Sequence, residues 1–241
     1  MSDSVYLWLA GPTQSWAAGR LTGNRVDTQP VPTRRALTGL IGAAYGWPYG
    51  HTEPWVDDLT MRVRADHPGT RETDFQTINP PDADVGAMRS DYQLVRTGRR
   101  PTKHQLAATP DGQGKTSIVR RTYLNGAGLL VEVGGHPNPQ ELAERLSRPV
   151  FPLSLGKRAF PAPTVVVGVG AANQIGTLPT PQWETNRGWW DAVEGDVGLA
   201  VYTLGEDVPA PHHEPDVTVV PVISETWIDA ETLTPYLHPA S

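Results

Sequence analysis

Cysteine is absent from this 241-residue chain. That excludes disulfides and thiolate-held metals, and it makes the reducing cytoplasm the expected compartment. No apolar run approaches the ~20 residues that span a bilayer, so no membrane partner is expected. The chain does not open with a basic segment followed by an apolar one, so no secretory leader is expected either. Phenylalanine is scarce, 3 residues against 8 Trp, and hydrophobic content is 38%. Gly and Pro, in contrast, contribute 24 residues each. Turns therefore take up much of the chain, which suits a strand-rich α+β protein better than a helical bundle. Lysine is the other scarcity: 17 of the 20 cations are Arg. Arg forks onto phosphate and stacks on bases, which Lys does poorly. Genomic bias accounts for the same excess equally well.

The net charge of −6 argues against a generic nucleic-acid coat, but the charge is unevenly spread. Gly86 to Asn125 holds eight cations against Asp91 and Asp111, a balance of +6. Glu184 to Ser241 holds 11 acids and one base, Arg187, a balance of −10. A basic middle and an acidic last quarter suggest one face for a polyanion and another for protein or solvent.

Val5 to Leu9 is apolar on both sides and stopped by Gly11-Pro12, the pattern of a buried central strand. Thr33 suits an N-cap, Gly46 and Pro48 a stop, and Ala36, Leu37, Leu40, Ile41 and Ala44 form one helical stripe between them. Gly39 and Gly42 weaken that helix by about 1 kcal/mol each, which close packing on a sheet would offset. Gly128 to Val133 reads as a strand, Gln140 to Leu146 as a helix opened by Asn138-Pro139, and Thr164 to Val169 as a further strand. Arg71 to Tyr123 is long, polar and broken by Pro and Gly, and reads as an inserted hairpin or thumb. The order is close to the β-α-β-β-α-β plan of ferredoxin-like and RNA-recognition-motif domains. The expected organisation is a ferredoxin-like domain over 1–170 with its thumb at about 71–123. A smaller C-terminal β portion over 171–241 packs on it, with strands at Asp196 to Thr203 and Val217 to Ile223.

Several segments invite chemistry. Gln14 and Trp16 follow the first strand, and Arg34 and Arg35 open the first helix. Two guanidiniums at the positive end of a helix dipole have the wrong sign for stability unless an anion binds there. Lys157 and Arg158 follow Gly156 at the end of an apolar run, where a turn lets backbone approach phosphate closely. Arg120, Arg121 and Tyr123 lie where the basic insertion rejoins the core, and pair cations with a stacking ring. Each of these also reads as an ordinary solvated cation or strand residue. Gly168 and Gly170 in Thr164 to Asn173 imitate a dinucleotide loop, but the third glycine is Asn173 and no helix follows. Gly114-Lys115-Thr116 lacks the first glycine of a P-loop. His212 and His213 sit in a Pro-rich loop, more suited to solvent than to a metal. Trp189 and Trp190 are adjacent, so on a strand one of them faces outward. No cofactor and no metal site is expected.

Three segments together resemble the CasD family, the guide-RNA-capping subunit of type I-E Cascade, a CRISPR surveillance complex of the RAMP superfamily. They are Leu9-Ala-Gly-Pro-x-Gln-x-Trp16, Pro32-Thr-Arg-x-x-Leu-x-Gly-Leu-x-Gly42 and Arg148-Pro-x-x-x-Leu-x-Leu-Gly-x-Arg158. The last third of the chain carries no matching motif. The resemblance implies a non-catalytic subunit of antiviral defence that binds the 5′ handle of the crRNA. Its partners would be the CasC backbone and the large CasA subunit, with CasB and CasE in the same complex and target DNA met through it. The RNA-contacting residues would be Gln14, Trp16, Arg34, Lys157 and Arg158, with Arg121 carried through the Arg-x-Tyr-Leu at the end of the thumb. Arg35, Arg120 and Tyr123 join them on the residue-level reading.

The competing class is a metal-independent endoribonuclease that processes precursor crRNA, as a related subunit does in another subtype. It needs a base for the 2′-OH and a donor for the leaving oxygen, for which His104 with Lys103, or His51 with Tyr49, are the candidates. A purely structural assembly protein is the third class, against which the basic middle segment counts.

Overall fold

The computed structural model describes residues 3–16, 25–78, 117–162, 165–180, 198–205 and 216–221. Its centre is a six-stranded sheet. Strand β1 (Asp3–Ala10) lies between β7 (Gly128–Gly134) and β8 (Val166–Ala171). Beyond β7 come β4 (Thr60–His67), β9 (Gly198–Leu204) and β10 (Asp216–Pro221). Every neighbouring pair is antiparallel. β9 and β10, read from sequence as a C-terminal β portion, extend this same sheet beyond β4.

Alternation along β1 explains how both faces are buried. Val5, Leu7 and Leu9 face the main core with Met61, Val63, Leu129, Val131 and Val133. Helix α1 (Arg34–Tyr45) covers that face through Leu37, Leu40, Ile41 and Ala44. Helix α2 (Pro139–Ser147) adds Leu142, Ala143 and Leu146. Tyr6, Trp8 and Ala10 point the other way and meet Leu130, Val201, Ile175 and Leu178. Segment 171–180 thus lies over the second face, tied down by polar side chains rising from the strands. Gln174 N–H donates to the Tyr6 hydroxyl and Asn173 N–H to Glu132. Arg64 donates to the carbonyls of Ile175, Leu178 and Pro179.

The ends of α1 are as the sequence predicts. The Thr33 hydroxyl accepts the Ala36 N–H, and Gly46 closes the helix in the left-handed region at φ 74°. The two interior glycines act otherwise than expected. A β-carbon on Gly39 would meet nothing, and one on Gly42 would press on the Trp47 indole. Neither lets the helix approach the sheet; only Gly42 makes room, and for a neighbouring ring.

Strand β4 escapes the sequence reading altogether. Arg62, Arg64 and Asp66 look like a wetted face, yet Arg64 and Asp66 are wholly buried and bonded to one another.

A smaller sheet joins β2 (Thr13–Gln14), β3 (Arg25–Val26), β5 (Thr70–Ile78) and β6 (Ser117–Asn125), with β6 pairing to each of the others. The chain divides into two compact units. One comprises 1–17, 28–72 and 123–241, and the other 18–27 and 73–122. Most of the basic segment, with Lys103, His104 and Gly114-Lys115-Thr116, lies outside the described residues, as do Trp189, Trp190, His212 and His213. Among the described residues, no helix is long and apolar enough to cross a membrane.

Candidate nucleic-acid interface

The turn carrying Lys157 and Arg158 is built from Leu153 to Ala162. Ala162 N–H donates to Leu153 O, Leu155 N–H to Phe160 O, and Phe160 N–H to Lys157 O. Gly156 sits in the left-handed region at φ 82°. A β-carbon there would overlap the Ser15 carbonyl oxygen and press on the Trp16 indole. Only glycine lets this turn lie against the chain leaving β2. The backbone confirms the apposition, since Ser15 N–H donates to Leu155 O at 3.1 Å. Two of the three sequence motifs therefore meet in space, joined through Gly156.

Lys157 is held by an aromatic pair. Its Nζ lies 3.1 Å from the Tyr123 hydroxyl, 5.2 Å from the centroid of that ring and 5.5 Å from the centroid of Phe160. The two rings meet edge to face at 5.2 Å. Arg158 follows, exposed to solvent. The group offers two cations and two half-buried aromatic faces, the chemistry that holds phosphate and stacks an unpaired base.

Gln14 and Trp16 lie inside the fold rather than on its surface. Both are buried, at 0% and 1% exposure. The Gln14 amide donates to the carbonyls of Leu9 and Ala127, and its oxygen accepts the Trp16 indole N–H at 3.0 Å. Trp16 N–H donates to the Thr28 hydroxyl. These two residues fix the backbone on which the Gly156 turn rests; they position the site rather than line it.

Arg34 is likewise bonded within the fold. Its guanidinium donates to the carbonyls of Leu59, Val56 and Asp57 at 2.7, 2.8 and 3.0 Å. These carbonyls lie at and just beyond the end of the 3-10 turn Pro54–Val56. The negative end of a neighbouring turn faces the Arg34 guanidinium, which eases the apparent charge mismatch at this helix start. Arg35 stays exposed.

In the second unit, Arg120 and Arg121 lie opposite Arg25 and Val26 of β3 in parallel register. The Arg120 guanidinium stands 5.7 Å from the centroid of the Phe75 ring. Sequence reasoning missed Phe75 and Phe160. One signal was available for both: each is an aromatic on the partner strand, or within the same turn, as a singled-out cation. Of the nuclease candidates within the described residues, Tyr49 and His51 are exposed, and His51 Nε2 is 3.0 Å from Glu53. Among the described residues, no group of three or more His, Asp or Glu is arranged to hold a metal.

The family described as "CRISPR-associated protein (Cas_Cas5)" matches residues 4–231. The chain belongs to the Cas5 family. It is similar to a chain of a "CRISPR RNA-guided surveillance complex", with 26% identity over 97% of this chain and 98% of that one, at a TM-score of 0.62. A structure described as "Crystal structure of Cas protein" shares the fold at 21% identity, over 95% and 99% of the two chains, with a TM-score of 0.53. No curated protein matches. For this Cas5 chain, the two motifs joined at Gly156 both lie inside the matched span.

Proposed function

We propose that this Cas5 chain is the subunit of a type I-E Cascade complex that binds and caps the 5′ handle of the mature crRNA, without cutting it. The observation that carries this reading is the Gly156 turn, packed on the backbone after β2 and presenting Lys157 beside Tyr123 and Phe160. In this reading Lys157, Arg158 and Arg35 hold handle phosphates while the Tyr123 and Phe160 rings take an unpaired base. Gln14, Trp16 and Arg34 hold the scaffold. Arg120 and Arg121 contact RNA from the thumb. The likeness to a chain of a CRISPR RNA-guided surveillance complex supports assembly with other subunits; in this reading they are CasC, CasA, CasB and CasE, in the cytoplasm, with target DNA met through the complex. The succession β1, α1, β4, β7, α2, β8, with sheet order β4-β7-β1-β8, supports a ferredoxin-like RAMP core. The pairing of β5 with β6 supports a thumb hairpin over about 71–123.

The test has two arms. Binding of a labelled handle RNA is titrated against salt for the wild-type chain and for Arg158→Ala. The variant is expected to bind more weakly and to lose about 0.7 from the log–log salt slope, the share of one single-strand phosphate contact. An unchanged slope removes Arg158 from the interface. The same chain is then incubated with repeat-containing RNA in chelator. Intact RNA supports capping; site-specific cleavage makes the protein a metal-independent endoribonuclease.

A further inference from the structure

The paired strands β5 and β6 carry an exposed ring that no function claims. Phe75 is 54% exposed, and the residues on either side of it from Thr70 to Thr77 are polar. Arg120, also exposed, holds its guanidinium 5.7 Å from the centre of that ring. One step along the same face, the hydroxyls of Thr73 and Thr122 are 3.4 Å apart. Alternation sends Asp74 and Gln76 to the opposite face, where the Gln76 amide bonds the Asp74 carboxylate. The face shared by Phe75 and Arg120 therefore combines an aromatic plane, a cation and the exposed hydroxyl of Thr73, and its described residues include no carboxylate.

We infer that Phe75 and Arg120 form a stacking site for one unpaired nucleotide of single-stranded RNA, separate from the Gly156 turn. The exposed ring beside a cation offers a stacking platform, and a base plane covers it without any sequence requirement. The guanidinium already lies over the ring, so it can stack on the base and reach the adjoining phosphate with its free N–H groups. Thr73, which is exposed, offers its hydroxyl to sugar or phosphate, while Thr122 is buried beneath it. A protein surface would also cover Phe75. The cation and the want of carboxylates on this face favour an anionic partner instead. The inference rests on the RNA-binding reading for the class of ligand, but not on the residues of the handle site.

The experiment is equilibrium binding of a fluorescent oligouridylate RNA to the full chain over a range of salt. Phe75→Ala, Phe75→Trp, Arg120→Ala and Lys157→Ala are compared with wild type, each checked for an unchanged thermal melt. Phe75→Ala is expected to weaken binding about tenfold with the salt slope unchanged, since stacking releases no counterions. Phe75→Trp restores affinity. Arg120→Ala weakens binding and lowers the slope by about 0.7. If Phe75→Ala binds as wild type while Lys157→Ala is weakened, the stacking site is overturned and the handle reading stands. If wild type itself binds no RNA, both fall. If Phe75→Ala keeps its RNA affinity but no longer assembles with a partner subunit, the ring docks protein and the inference is overturned.

Discussion

The carbonyl oxygen of Ser15 occupies the space that a β-carbon on Gly156 would need. The positive φ of Gly156 adds a second bar to any side chain there. Gly156→Ala must therefore push the Lys157 turn away from the backbone after β2. The expected cost is about 2 kcal/mol or more, read as a lower urea midpoint, together with weaker handle binding. A variant with wild-type midpoint and affinity would show that the two segments are not held together by this contact.

Gln14 makes three buried hydrogen bonds, to Leu9, Ala127 and Trp16. Gln14→Leu keeps much of the volume and strands all three partners. The expected loss is about 2–4 kcal/mol, since each orphaned buried group costs about 1–3 kcal/mol and some find other partners. Urea denaturation checks it. A loss of RNA affinity with no loss of stability would return Gln14 to the ligand-contacting set.

Arg34 and Arg35 are adjacent and should separate cleanly in experiment. Arg34→Ala leaves three carbonyls without their donor and is expected to lower stability by about 1–2 kcal/mol, with the RNA salt slope unchanged. Arg35→Ala is expected to leave stability within about 0.5 kcal/mol of wild type and to flatten the slope by about 0.7. The reverse pattern would exchange their roles.

The buried pair of Arg64 and Asp66 gives a stability test. Arg64 Nε donates to Asp66 Oδ1 at 2.7 Å, and both side chains are fully enclosed. Asp66→Ala leaves the guanidinium facing carbonyls alone, with an expected cost of about 3–5 kcal/mol. Asp66→Asn should cost less, because its amide oxygen still accepts from Nε. Burial pushes the Asp66 carboxyl up to about 6, against the pull of Arg64. The folded state thus holds this proton more tightly than the unfolded chain, and its contribution to stability falls as pH rises from about 4 to about 6.

His136 acts in the opposite sense. Asn138 N–H donates to its Nδ1, its Nε2 lies 3.3 Å from the Tyr45 hydroxyl, and Trp55 meets it edge to face. Burial lowers its pKa below the usual 6.5, outweighing the Asn138 carbonyl and Glu141, and His67 is lowered in the same way. The stability this gives is complete above pH 6.5 and is lost as pH falls toward the folded pKa. His136→Phe should flatten the thermal midpoint between pH 6.5 and 5, leaving the share due to His67. A profile as steep as wild type would exclude His136 as a source.

The sequence is most legible where one physical rule acts alone. Apolar alternation in Val5 to Leu9, the Thr33 cap and the Gly46 stop each translate directly into β1 and α1. It misleads where polar side chains are buried. Arg62, Arg64 and Asp66 hide β4 because their partners in 171–180 lie more than a hundred residues away. Gln14, Trp16 and Arg34 are engaged within the fold for a related reason. Their polar atoms are consumed by backbone groups that local spacing does not bring near. Lys157 and Tyr123 are both named from sequence, but their approach depends on where β6 ends and the Gly156 turn begins.

The order in which the sheet is completed bears on how the chain is made. β4 is the second strand of the main sheet in sequence, yet its outer edge is paired by β9, whose first residue is Gly198. During synthesis β1, β4, β7 and β8 can assemble once residue 171 has left the ribosome, while β4 still offers open backbone groups along one side. Some 27 more residues must emerge before that edge closes. At ~5–20 residues per second this interval lasts on the order of seconds, a window in which nascent chains on one message can pair edge to edge.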